Sequence, residues 1–130
     1  MDKIDTLISY LFAIQAFAKD IHYSASGEAF YSKHLLADEI YKGIDEQIDA
    51  LIETCILPYG LPKQIGEYWE LARKLIPNTI NFYGLKILLK DVIDITKMQE
   101  RTITCGEQSL IDSIAQDVQR KLGLITRQVR

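Results

Sequence analysis

The sequence predicts an all-α fold: a four-helix bundle with a short helix in the long crossover between the second and third long helices. Apolar residues recur at helical spacing along four long stretches, and no stretch alternates as a half-buried strand would. The three prolines fall between the predicted helices, where their missing amide donor does no harm. With 130 residues and 48% hydrophobic content, the chain can bury a core of its own, so we predict a single domain over residues 1–130.

The first two predicted helices form a hairpin. The first runs from Asp2, a residue type that caps helix N-termini well, to about Tyr23. A polar break at residues 24–27 ends it, and the second helix runs over about residues 28–55, before the Pro and Gly residues of 58–62. Such a short connection makes the two helices antiparallel neighbours.

The second half of the chain contains the crossover and two further helices. A short helix is predicted over about residues 63–76, and it contains Trp69, which we expect to be a packing residue. The third long helix ends near Arg101. A capping-box pattern in Thr104 and Glu107 then predicts the start of the fourth.

Composition restricts the partners and the location of the protein. Fifteen basic residues against 18 acidic ones give a net charge of -3, which does not favour binding to nucleic acid phosphates. No apolar run is long enough to cross a membrane, and the N-terminus lacks the pattern of a signal peptide. Cys55 and Cys105 form no motif, so we expect core or near-core thiols in a reduced, cytoplasmic protein.

The two histidines are the first candidates for chemistry. A lone histidine on a helix usually has a structural role, but His22 and His34 are equidistant from residue 28, at the centre of the predicted turn. Residues equidistant from the turn lie side by side in an antiparallel hairpin. We therefore predict that the two imidazoles are neighbours, close enough to share one metal ion.

An acidic stripe follows His34 along the second predicted helix. At 100° per residue, its members fall on the side of the helix opposite the large apolar residues. They are Asp38, Asp45, Asp49 and Glu53. The stripe is typical of the solvated face of an amphipathic helix, and local pairing of His34 with Asp38 is a second simple interpretation.

A third interpretation treats the stripe as two metal half-sites. Asp38 and Asp49 are 11 positions apart, or roughly 16 Å along a continuous helix, so one ion cannot reach both in the same chain. A two-fold axis that packs this helix against its own copy would join the half-sites and form two equivalent sites. Imidazole and carboxylate ligands together suit Fe(II), Zn(II) or Mn(II). The two half-sites are His22, His34 and Asp38 of one subunit, and Asp49 and Glu53 of the two-fold-related subunit.

These five residues, with Gly27 and Phe30 between the histidines, stand at the spacing of a known motif. The pattern resembles the ferroxidase motif of the Dps proteins, the starved-cell DNA-binding branch of the ferritin-like superfamily. Residues matching all five family ligands are present, and the resemblance covers about residues 8–53. Beyond that region the chain resembles the family only in its helix layout. The absence of a Glu-x-x-His pair favours the intersubunit site over one inside the bundle.

The resemblance implies a hollow dodecamer built from two-fold dimers. Such a cage binds Fe(II) at subunit interfaces, oxidises it with hydrogen peroxide, stores Fe(III) inside and protects against oxidative damage. In that case His22, His34, Asp38, Asp49 and Glu53 are both the metal ligands and the catalytic residues. Zinc would compete for the same ligands.

The sequence also departs from the family. Tyr23 stands where the family has a tryptophan, and the chain has no extended basic N-terminal tail, so DNA binding is expected to be weak or absent. The alternative function is a non-enzymatic Dps-like protein that assembles or binds a partner or DNA. The last predicted helix also contains charged residues. Its basic residues are expected at a solvated helix end, and they are Arg120, Lys121, Arg127 and Arg130. Its acidic residues either stabilise the helix N-terminus or line a pore for iron, and they are Glu107, Asp112 and Asp117.

Overall fold

The computed structural model describes residues 2–97 and 103–129, and this part of the chain is all-helical, as predicted. It contains six helices and no strand. They are α1 (Lys3–Ser24), α2 (Phe30–Tyr41), α3 (Ile44–Cys55), α4 (Ile65–Leu75), α5 (Phe82–Lys97) and α6 (Cys105–Gln128). The prediction that the third long helix ends near Arg101 falls outside the described residues.

The helices pack around α1. This helix contacts α2, α3, α4 and α5, while α6 packs against α5, α3 and α2. Apolar residues spread around most of α1 are buried, as expected for a helix surrounded by others. α5 approaches α1 closely at Gly84, where a Cβ atom would lie 2.9 Å from the ring of Phe17. The result is one continuous core with contributions from all six helices.

The predicted ends of most helices agree with the structure. The Asp2 side chain accepts a hydrogen bond from the backbone N–H of Asp5 and so caps α1. Thr104 and Glu107 form the predicted capping box of α6. The crossover helix is α4, and Trp69 packs on Phe12 with ring centroids 4.8 Å apart, although the Trp69 side chain stays 40% exposed.

The prediction of one continuous second helix over residues 28–55 is wrong. The helix is interrupted between α2 and α3, where Lys42 has an extended ψ of 133° and Gly43 has a φ of 81°. A positive φ is accessible to glycine at little cost, so the chain turns there without strain. The calculated spacing of 16 Å between Asp38 and Asp49 assumed a straight helix, and it therefore does not apply.

Three further expectations about side chains are not met. Cys105 is exposed, because it is the first residue of α6 and lies outside the core, whereas Cys55 is buried as predicted. Lys121 is not part of a solvated helix end: its side chain is only 2% exposed and pairs with Asp117. Glu107 is also buried, with the Tyr59 hydroxyl donating to it at 2.6 Å, so it does not line an open pore. Arg130 falls outside the described residues.

None of the helices in the described part of the chain is both long enough and apolar enough to span a membrane.

Candidate metal centre

The two histidines lie against each other, as the hairpin geometry predicts. His22 is in the last turn of α1 and His34 is in the second turn of α2. Their rings are stacked, with centroids 3.5 Å apart and planes inclined by 20°. Both residues are half-buried.

Reciprocal hydrogen bonds set the tautomer of the pair. Nδ1 of His22 lies 2.8 Å from the backbone oxygen of His34, and Nδ1 of His34 lies 2.7 Å from the backbone oxygen of His22. Because a carbonyl oxygen only accepts, each Nδ1 carries the hydrogen and donates it. In the neutral ring Nε2 is then the unprotonated nitrogen, which is the form that binds a metal ion.

The stacking changes the prediction that the imidazoles share one ion. A metal binds Nε2 in the plane of the ring, at about 2 Å. The two ring planes are nearly parallel and the centroids are 3.5 Å apart, so the in-plane lone pairs do not meet at a single point within bonding distance. In this arrangement each imidazole can serve a separate ion, and the pair suits a site with two neighbouring ions.

Tyr41 interacts with both His22 and Asp38. The Tyr41 ring packs edge-on against His22, at 5.5 Å between centroids. A hydrogen bond to Asp38, together with burial and the negative charge of Asp38, raises the pKa of Tyr41 to about 12. Asp38 is also 3.7 Å from the Lys42 ammonium group, a partly exposed pair. Tyr41 therefore keeps its proton at neutral pH.

Aromatic side chains surround the imidazoles. Tyr23 packs edge-on against His22 at 5.3 Å between ring centroids, and the centroid of the Phe30 ring lies 5.3 Å from that of His34. Tyr23 is 76% exposed and Phe30 is 42% exposed. Tyr31 and Leu35, on the outer side of α2, are exposed as well. This end of the hairpin therefore presents an apolar surface around a polar centre.

The structure does not bring the second predicted half-site to the first within one chain. Asp49 and Glu53 are exposed on α3, beyond the break at Gly43. Asp45, on the same stripe, instead accepts a hydrogen bond of 2.6 Å from Gln15. Within residues 2–97 and 103–129, no three His, Cys, Asp or Glu side chains converge as a bound metal ion would require.

The sequence reasoning missed Tyr41. Its position three residues after Asp38 places it one helical turn further on, and this spacing was the available signal. It also missed the burial of Lys121, although this residue lies three positions after Val118 and four before Ile125, on the apolar face of α6. A comparison with known protein families, curated proteins and solved structures finds no match for this chain.

Proposed function

We propose that this chain is a ferritin-like ferroxidase of the Dps type, which binds Fe(II) between two copies and oxidises it with hydrogen peroxide. The observation that carries the proposal is the stacked histidine pair. Both Nδ1 atoms are engaged by backbone carbonyls, and each Nε2 is left as a nitrogen ligand. Asp38 lies one helical turn after His34 on α2, and Tyr41 interacts with both His22 and Asp38.

The second copy supplies what one chain lacks. One chain offers two imidazoles and one carboxylate at the hairpin, and it exposes Asp49 and Glu53 on α3. A two-fold axis would carry these carboxylates to the partner's histidines, and the partner's carboxylates to these histidines. The exposed aromatic side chains around the histidine pair would become the apolar part of that interface.

Each residue has a physical role in this proposal. His22 and His34 supply nitrogen ligands through Nε2, and donation from Nδ1 to a backbone carbonyl orients each ring. Asp38 adds a carboxylate ligand to the half-site that contains the two histidines. The anionic oxygens of Asp49 and Glu53 favour Fe(III) over Fe(II), since the higher charge gains more from carboxylate ligands.

The reaction consumes two Fe(II) ions and one peroxide molecule. Each Fe(II) loses one electron, the O–O bond of the peroxide breaks, and two protons are taken up to form two water molecules and two Fe(III) ions. Because the peroxide receives both electrons, no hydroxyl radical is released. We further propose that the dimers assemble into a dodecameric cage that stores the Fe(III), which rests on the resemblance to the family.

An anaerobic Fe(II) titration followed by peroxide, with ferric absorbance recorded, tests the chemistry. The wild type should bind about two Fe(II) per chain and oxidise them faster than buffer does, and zinc added first should slow the reaction. The double variant His34→Ala/Asp49→Ala should lose this activity. Glu70→Ala, which removes an exposed carboxylate on α4, should retain it. Oxidation no faster than buffer in the wild type would overturn the proposal and leave the histidine pair as a clasp of a non-enzymatic assembly protein.

Mixing two inactive variants tests whether the site lies between chains. In a mixed dimer of His34→Ala and Asp49→Ala, one site carries both substitutions and the other carries neither. Random reassociation should therefore restore about a quarter of the wild-type sites, since half of the dimers are mixed and each has one intact site of two. A mixture as inactive as the separate variants would mean that the ligands do not come from two chains.

A further inference from the structure

The break between α2 and α3 is contacted by a lysine from the far end of the chain. Lys121, on α6, is 1% exposed, and its ammonium group lies 3.2 Å from the backbone oxygen of Lys42. That carbonyl is at the C-terminal cap of α2, where the interrupted helix leaves it without its usual partner. Lys121 therefore donates to a carbonyl oxygen that lacks a backbone donor only because the helix is broken.

A buried ammonium group needs compensation, and Asp117 provides it. The Lys121 nitrogen is 2.9 Å from Oδ2 of Asp117, one turn earlier on α6. Burial alone would raise the pKa of Asp117. The hydrogen bond and charge of Lys121, with hydrogen bonds from Gln47 and Arg120, outweigh burial and leave the pKa below its ordinary value. Asp117 is thus held in its charged form beside the ammonium group.

The same turn of α6 contacts the helices on both sides of the break. Gln47, on α3, donates to Asp117 at 2.9 Å. Arg120 donates to Glu39, on α2, at 2.9 Å and to Asp117 at 3.2 Å. α6 is therefore attached to α2, to α3 and to the carbonyl between them. Such an arrangement fixes the angle between α2 and α3 in a way that neither helix does alone.

We propose that Lys121, paired with Asp117, is a positioning residue that holds the α2–α3 break and so sets the direction of Asp38 relative to Asp49 and Glu53. This inference rests on the proposed function, because it concerns the relative placement of its two half-sites. A straight run through Gly43 would change both the distance and the angle between Asp38 and the α3 carboxylates. A dimer interface that fits the broken arrangement would then no longer bring both half-sites together.

A double-mutant cycle tests the hold on the break without iron. With the break in place, Gly43→Ala forces an alanine to a φ of 81° and should lower the folding equilibrium constant about tenfold. In the Lys121→Met background the break is no longer held, and alanine favours a continuous helix. There Gly43→Ala should lower the folding equilibrium constant by less than about twofold. An equal cost of Gly43→Ala in both backgrounds, measured by urea unfolding, would overturn the proposed hold.

Fe(II) binding tests the positioning role. Lys121→Met, folded by circular dichroism, should bind Fe(II) about tenfold more weakly than wild type, and Arg127→Met, an exposed cation on α6, should match wild type. If Lys121→Met does not fold, Asp117→Asn takes its place, since it removes the charge and keeps the shape. Wild-type Fe(II) binding in the folded variant would overturn the positioning role. If the wild type itself binds no Fe(II), the ferroxidase proposal fails, and coupling in the cycle still supports the hold on the break.

Discussion

In its first turns α2 is held by the histidine pair, and at its C-terminal cap, Lys42, it is held by α6. The first contact joins residues 12 positions apart through neutral donors and backbone carbonyls. The second joins residues 79 positions apart through a buried ammonium group and its carboxylate. One end of α2 is therefore organised by the local hairpin and the other by a distant element.

The two ends should also differ in energy. A neutral hydrogen bond at a half-buried position contributes about 1 kcal/mol, because water replaces it when it is lost. Removing one partner of a buried ion pair is more damaging, since the other charge is left in a poorly solvated place. Substitutions at the α6 end should therefore destabilise the protein more than substitutions at the hairpin end.

The largest loss is expected for Asp117→Ala. It leaves the Lys121 ammonium group buried without its carboxylate and removes the acceptor of Gln47. Because the Asp117 side chain is 26% exposed, we expect the free energy of unfolding to fall by about 2–3 kcal/mol, which is less than for a fully buried pair. The measurement is the free energy of unfolding in urea. Asp112→Ala, at an exposed position on the same helix, should stay within about 0.5 kcal/mol. Equal effects of the two substitutions would mean that the ion pair does not stabilise the fold.

Acid should weaken the same end of α2. The pKa of Asp117 in the folded protein lies below its ordinary value of 3.8, so ionisation of this carboxyl stabilises the fold. That contribution is complete above the unfolded value and is lost as the pH falls through the folded one. The urea midpoint of the wild type should therefore fall more steeply below about pH 4 than that of Asp117→Asn. Parallel pH profiles for the two proteins would contradict this assignment.

The same contrast explains what could be predicted from the sequence. The pairing of His22 with His34 follows from equal distances to a turn, which is a local property of the chain. The break at Gly43 had a local signal too, an isolated glycine within a helical pattern, but a glycine is compatible with both a straight and a broken helix. What distinguishes them is Lys121, and only the folded chain brings it to Lys42.

The candidate site was predictable to the same extent. The spacing identified five candidate ligands, and the structure brings together the two histidines on α1 and α2. The spacing could not predict the stacking of the two imidazole rings, which depends on the reciprocal hydrogen bonds to the backbone. It also could not place Asp49 and Glu53, because their direction depends on the angle between α2 and α3.

A smaller loss is expected at the hairpin end from His34→Phe. The phenyl ring can still stack on His22, but the donor to the His22 carbonyl is lost. We therefore expect the free energy of unfolding to fall by about 1 kcal/mol. Urea unfolding at neutral pH measures this loss. The control is Tyr31→Phe, at an exposed position on α2, which should change the free energy of unfolding by less than about 0.5 kcal/mol. A loss as large as that of Asp117→Ala would remove the proposed difference between the two ends of α2.

The smallest effect, and the only gain, is expected for Ala29→Gly just before α2. Ala29 has a φ of 61°, a left-handed conformation that costs an alanine about 1–2 kcal/mol and a glycine almost nothing. The greater freedom of glycine in the unfolded chain offsets about 0.5–1 kcal/mol of this, so a net stabilisation below about 1 kcal/mol remains. Ala25→Gly is the matched control, because Ala25 has a φ of -58° and no strain to relieve; it should lose stability. If both substitutions destabilise equally, the hairpin end is not under local backbone strain, and the tertiary contacts of α2 would have to account for its conformation at both ends.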